Sequence, residues 1–387
     1  MTLRLMQAAA LTLLAACGSA PSSTAAQTSS QRPFRITPVA SFSTPWAMDF
    51  LPGSGVRMTP SALVTEKEGR LWLVNTATGA RQQVRGVPRV AVAGQGGLGD
   101  VVAHPGFAGN QRIYLTFVEA GPNGTSGAAL GYGRLLFSSA ARPGAPAGVS
   151  LSGFKVIWRQ APKVSGDGHF SHRIAFAPDG TIFLTSGERE KMQPAQDMRS
   201  DLGKIHHLTA EGAPVRGNPF ANQGGRAAMY WTLGHRNVLG IAFAPDGRLW
   251  TSEMGPKGGD ELNLILPGRN YGWPIASYGS HYGGANIPDD HRGRRFEEPK
   301  VWWNPAISPG GLLIYSGDLF SNWKGDALLP ALSGEALIRV DIDGDRARKA
   351  DHWPMGARIR AVDQGPRGEI YLLEDGGRLL RLEPRNR

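Results

Sequence analysis

The sequence predicts an all-β chain folded as a six-bladed β-propeller, and three observations carry that expectation. A unit of alternating apolar residues, a Gly turn and a second short strand recurs along the chain. It reads ALVTEKEGRLWLVN at 62–75, VVAHPGFAGNQRIYLTF at 101–117, IAFAPDGTIFLTSGE at 174–188 and IAFAPDGRLWTSEMG at 241–255, with weaker copies at 312–330 and 361–375. Two of these copies share the APDG turn almost letter for letter, which argues for repeated blades over a pair of packed sheets. Among 387 residues there are 52 Gly and 28 Pro, and helical periodicity is nowhere sustained.

Each element follows in chain order. Residues 1–17, MTLRLMQAAALTLLAAC, have one early Arg and an apolar segment too short to span a bilayer, the form of an export signal. Leu14-Ala15-Ala16-Cys17-Gly18 resembles the lipobox of bacterial lipoproteins. That resemblance implies cleavage at Cys17, acylation there, and a periplasmic-side protein anchored to the outer membrane only by its N-terminal lipid. Residues 18–33 are rich in Ser, Thr, Ala and Gln and read as a flexible tether. Residues 34–387 then form the propeller, with the polar and aromatic stretch 278–303 as a loop crossing one face. In a propeller, ligands bind where the inner strands converge, so any site must gather residues distant in sequence.

Composition excludes several classes. The net charge is +10, yet Lys and Arg are scattered without a run of five, so a basic pocket for an anion explains the charge better than nucleic acid does. Cys17 is the only cysteine, so the exported body holds no disulfide and no attached haem.

The candidate chemistry centres on 234–274, GHRNVLGIAFAPDGRLWTSEMGPKGGDELNLILPGRNYGWP. Arg236 and Asn237 set a guanidinium fork beside a carboxamide, suited to a carboxylate and a carbonyl together. Gly255-Pro256 offers consecutive carbonyl oxygens in a tight turn, hard ligands suited to Ca²⁺, with Asp260-Glu261 just beyond. Singly, these are equally a salt bridge, a turn and a solvated acidic pair. His169 and His172 precede the third unit, and Glu188 ends it where it could orient an imidazole. No further His or Cys stands at zinc spacing. Gln95 lies in the loop Gly94–Gly99, which alone is weak evidence for phosphate. Arg358 and Arg360 alternate onto one strand face and together call for an anion.

In order, GQGGLGDVVAHPGFAGNQRIYLTF, GHFSHRIAFAPDG, AQDMRSDLGKI, GHRNVLGIAFAPDG, GPKGGDELNLILPGRNYGWP and RIRAVDQGPRGEIYLL cover most of 40–383. The chain resembles the soluble aldose sugar dehydrogenases that use pyrroloquinoline quinone (PQQ). The resemblance implies a six-bladed propeller that oxidises an aldose at C1 to a lactone, with His169 as general base. Gln95, Arg236, Asn237, Arg358 and Arg360 match the contacts to PQQ. Gly255 and Pro256 match the main-chain ligands of a catalytic Ca²⁺, and Glu261 with the Tyr271 carbonyl fits a second Ca²⁺. An outside acceptor, a cytochrome or a quinone, must then reoxidise the cofactor. Four positions depart from the family's pattern: Ser333 stands where Lys is frequent, His172 where Gly is usual, Met254 where a polar residue is common, and Glu374 in place of Thr. A Ca²⁺-dependent lactonase or esterase and a non-catalytic binding propeller remain the other readings of the residues.

Overall fold

The computed structural model describes residues 32–53, 60–138, 148–289, 291, 293 and 295–385. The signal, Cys17 and nearly all of the 18–33 tether lie outside them. Among the described residues, twenty-four strands form six antiparallel four-stranded sheets, the blades of a propeller. The inner strands are Pro45–Phe50, Leu98–Ala103, Ser171–Phe176, Val238–Phe243, Leu313–Ile314 and Ile359–Gln364.

Local chemistry explains the blades. In both APDG turns the Gly amide donates to the Ala carbonyl at 2.9 Å, and the Gly has positive φ, 82° at Gly180 and 86° at Gly247. Asp179 and Asp246 accept the amide two residues on at 3.0 Å, an Asx lock on each hairpin. The matching sequence therefore produces matching turns between the first two strands of blades 3 and 4. The sixth blade is closed by both chain ends: Phe34–Ser41 pairs with Arg378–Pro384, Phe34 opposite Pro384. That pairing leaves no open gap in the ring.

Packing follows the same sixfold logic. Six large apolar clusters fill the six gaps between neighbouring blades; Leu63 and Leu71 of blade 1, for example, meet Val101 and Leu115 of blade 2. These four residues are fully buried. Truncating one such Leu to Ala would cost about 2–5 kcal/mol. Inner-strand residues from all six blades line a central channel of about 290 Å³ that contains Asp49, Asp100, Arg173 and Asp363.

Two details differ from the sequence expectation. The unit at 62–75 spans the second and third strands of blade 1, whereas the other five contain an inner strand and its partner. The true inner strand, Pro45–Phe50, is separated from its partner by residues 51–60, so no tight turn marked it. The loop assigned to 278–303 also ends in a strand, because Val301–Trp303 pairs with Asp260–Leu262 as the outer edge of blade 4.

Candidate functional site

Blade 3 builds the first half of the site. His169 stands two residues before the inner strand with φ 47°, a backbone held by its surroundings: its amide donates to Gln95 Oε1 at 3.0 Å. Gln95 thus holds His169 through the histidine's main-chain amide. Beyond the second strand of the blade, Glu188 Oε1 lies 2.5 Å from His169 Nδ1. Glu188 Oε2 accepts the Met192 amide, also at 2.5 Å, and the Glu188 amide donates to Arg236 O at 2.9 Å. Burial works to raise the Glu188 pKa, but the bond and charge of His169 and the Met192 amide outweigh it, and the carboxyl stays below its ordinary value. An ionised Glu188 fixes the imidazole at Nδ1, and among the described residues Nε2 makes no hydrogen bond, its nearest carboxylate oxygen being Glu190 Oε1 at 3.8 Å.

Blade 4 supplies the other half. Arg236 is buried, with Nη1 donating to Met254 O at 3.2 Å and Nε lacking a partner. No described carboxylate pairs with this guanidinium, which lies 5.3 Å from the Trp273 ring centroid and 6.0 Å from that of Tyr282. Asn237 accepts Ser171 Oγ at 3.1 Å, tying blade 4 to blade 3. His169, Glu188 and Arg236 share a cavity of about 350 Å³ with Glu190, Met192, Pro256, Trp273, His281 and Tyr282.

Beside this cavity, Gly255, Pro256, Glu261 and Tyr271 line one small void with Glu253 and Arg236. Glu253 and Glu261 face each other across adjacent strands. Glu253 accepts the Asn237 amide and His235 Nδ1, each at 3.0 Å. Burial first, then the Glu253 charge, pushes the Glu261 carboxyl up to about 8. The buried Asn263 Oδ1 nearby has no hydrogen-bond partner among the described residues. Asp260, adjacent in sequence, works elsewhere, clamping the Gly255 amide at 2.8 Å and the Ile307 and Ser308 amides at 2.6 Å.

Arg358 and Arg360 do not line the His169 cavity. Both reach Asp375, from Arg358 Nε at 3.0 Å and from Arg360 Nη2 at 2.7 Å, which leaves two guanidinium groups on one carboxylate. Burial pulls the Arg360 pKa down against the Asp375 charge, and its guanidinium sits 4.4 Å over the Trp46 ring. Trp46 packs with Leu239 and Met254 and stacks on His172 at 6.4 Å, linking blade 6 to the strands that carry the cavity.

The departures resolve into structure. His172 is buried with Nδ1 2.8 Å from Thr116 Oγ1, and burial drives its pKa down to about 3. Its ring lies against Gly99, where a Cβ would come within 1.8 Å of His172 Cε1. Ser333 bonds Ser308 Oγ at 2.8 Å, and Glu374 pairs with Arg378 at 2.6 Å. Residues the sequence did not single out include Asp375, Glu253, Trp46, Trp273, His281 and Tyr282. The acidic residue at the end of the Arg358–Arg360 hairpin was a usable signal for Asp375; the others become neighbours only in space.

A closed propeller whose blades gather an oriented imidazole, a buried guanidinium with no carboxylate partner among the described residues and a cavity of ligand size has the form of an enzyme. The chain belongs to the Glucose / Sorbosone dehydrogenase family, whose model matches residues 42–381. Aldose sugar dehydrogenase YliI of Escherichia coli (strain K12) is 36% identical over 350 residues, 88% of this chain and 90% of that protein. The apo-form crystal structure of the soluble aldose sugar dehydrogenase from Escherichia coli matches with a TM-score of 0.83 and 34% identity, covering 91% of this chain and 100% of that one. The PQQ-bound aldose sugar dehydrogenase of Streptomyces coelicolor matches with a TM-score of 0.69 and 28% identity, covering 90% and 98%.

Proposed function

We propose that this chain oxidises aldose sugars at C1 to lactones using PQQ and Ca²⁺, with His169 as general base. Family membership and the relatives named for aldose sugars and PQQ support the class of reaction. The carrying observation for the base is the 2.5 Å contact from Glu188 Oε1 to His169 Nδ1, which leaves Nε2 as the nitrogen available to substrate in the shared cavity.

The residues present fit the cofactors. Arg236, buried with an orphaned Nε and no carboxylate partner among the described residues, suits an anionic ligand. Two arginines on Asp375 leave a positive excess for a further carboxylate. Arg236, Asn237, Gln95, Arg358 and Arg360 would hold PQQ. The carbonyls of Gly255 and Pro256 are hard oxygen donors that suit the catalytic Ca²⁺, and Glu261 with the Tyr271 carbonyl suits the second; residues of both sets line a void of about 10 Å³. When bound, PQQ would accept the hydride leaving C1 and Ca²⁺ would polarise its reactive carbonyl.

The protein's own part is proton transfer and orientation. The C1 hydroxyl donates to His169 Nε2, which takes the proton as the C1–H bond breaks. Glu188 stabilises the imidazolium that forms and keeps the ring from turning. The buried Trp273 and Pro256 give the cavity apolar lining. Dye reduction by several aldoses, after loading the apo-protein with PQQ and Ca²⁺, tests the reaction; no turnover with any aldose would overturn it.

The N-terminal signal supports an outer-membrane lipoprotein on the periplasmic side, acylated at Cys17, passing electrons to an external cytochrome or quinone. Cys17→Ala should release the protein from membranes with its activity intact. Mass spectrometry finding an unacylated mature N-terminus elsewhere would refute the anchor.

A further inference from the structure

One polar group in the cavity plays no part in moving the C1 proton. Glu188 already uses both carboxylate oxygens, on His169 Nδ1 and on the Met192 amide. Glu190 uses neither: among the described residues its carboxylate makes no hydrogen bond, and its side chain is 55% exposed. Its Oε1 lies 3.8 Å from His169 Nε2, the nitrogen that Glu188 leaves free.

That position is built into the loop. Arg189, Glu190 and Met192 have φ of 61°, 59° and 59°, a backbone that non-glycine residues keep only where the surroundings enforce it. Arg189 enforces it from below: its guanidinium is fully buried, 3.7 Å from the Phe170 centroid, and donates to Gly168 O at 2.9 Å and Ser126 O at 2.8 Å. Gly168 makes room above, since a Cβ there would come 2.5 Å from Glu190 Oε1. Glu190 is thereby held beside the reactive nitrogen. Met192, Pro256, Trp273 and the 74% exposed Tyr282 supply mainly apolar walls around it.

We propose that Glu190 is a specificity-determining residue that accepts a hydrogen bond from the sugar hydroxyl next to the one facing His169 Nε2. The proposal rests on the sugar dehydrogenase reading. Two acceptors 3.8 Å apart can each take a bond of ~2.7 Å from one of two adjacent hydroxyls of a single ring. The charge of the carboxylate strengthens its bond, while the apolar walls suit the faces of the ring. Glu190 binds and orients; no proton passes to it.

The test compares an aldohexose with its 2-deoxy counterpart in PQQ- and Ca²⁺-loaded protein. Glu190→Gln, which keeps the shape and removes the charge, should raise KM for the aldohexose about tenfold and leave kcat nearly unchanged. KM for the 2-deoxy sugar should hardly move. Calorimetric titration with the lactone product, which needs no turnover, should show the same loss of affinity, and Glu190→Ala should repeat the pattern. An equal KM change for both sugars overturns the proposal, as does a loss confined to kcat with a displaced pH profile, which would make Glu190 a proton acceptor for His169. A wild-type protein that neither oxidises nor binds any aldose overturns the dehydrogenase reading itself, and the proposal with it.

Discussion

His169 Nδ1 lies 2.5 Å from Glu188 Oε1, and the same glutamate holds the Met192 amide with its other oxygen. His169, the proposed base, is therefore oriented by a residue that is itself held in place. His169→Ala should keep PQQ and Ca²⁺ bound but lower kcat on the order of 10² to 10⁴ fold, the usual contribution of general base catalysis. Absorbance titration with PQQ checks binding and dye reduction checks turnover. A variant with near-normal kcat would remove His169 from the mechanism.

His172 cannot replace it. Burial holds its pKa down to about 3, and the ring is locked on Thr116 and Trp46 away from the cavity lining. His172→Gly should leave kcat similar. It removes a packed ring, at roughly 2–4 kcal/mol, but relieves a φ of 48° that costs about 1 kcal/mol in a non-glycine residue. Denaturant titration should thus show a net loss of stability with activity retained in the folded fraction.

Arg360→Ala should weaken PQQ binding by about 1.5–3 kcal/mol, the loss expected for a hydrogen bond to a charged group. Arg358 is half-exposed, and solvent screening limits its effect to ~1 kcal/mol or less. PQQ affinity unchanged in both variants would mean that Asp375 fully occupies the pair.

Calcium should stabilise through the void shared by Gly255, Pro256, Glu261 and Tyr271. At a free concentration one hundred times Kd the gain is about 2.7 kcal/mol, read as a rise in Tm over protein treated with a chelator. Glu261→Gln should remove the part of that rise that the second Ca²⁺ supplies. A calcium-induced shift identical to that of the unmodified protein would place the ion elsewhere.

The channel acids predict how stability depends on pH. Burial pushes Asp363 up to about 7, and burial with the Asp363 charge holds its neighbour Asp49 well above the ordinary carboxyl range. A raised folded-state pKa means that the folded protein binds more protons than the unfolded chain between about 4 and 7. The stability they contribute is thus fully present below about 4 and is lost as pH rises through about 7. Asp363→Asn should flatten this part of the Tm profile. An unchanged slope would assign it to other groups.

The sequence alone determined the propeller, because each blade needs only period-two alternation and a Gly turn, both local in the chain. IAFAPDG at 174–180 and 241–247 produces the same hairpin twice, down to the Asx lock and the positive-φ Gly. It also marked candidate site residues wherever a motif was contiguous, as with Arg236-Asn237 and Gly255-Pro256. It misread blade 1, since a ten-residue connection hid the inner strand Pro45–Phe50. Only the tertiary structure decided how the motifs meet. It split Asp260 from Glu261, turning one to clamp backbone amides and the other toward Glu253, because neighbours on a strand point to opposite faces. It closed Arg358 and Arg360 on Asp375, buried His172 against Gly99 and brought Glu190 beside His169 Nε2. These relationships depend on which blade rims and loops converge, and that is set by closing six sheets into a ring rather than by any residue's neighbours in the chain.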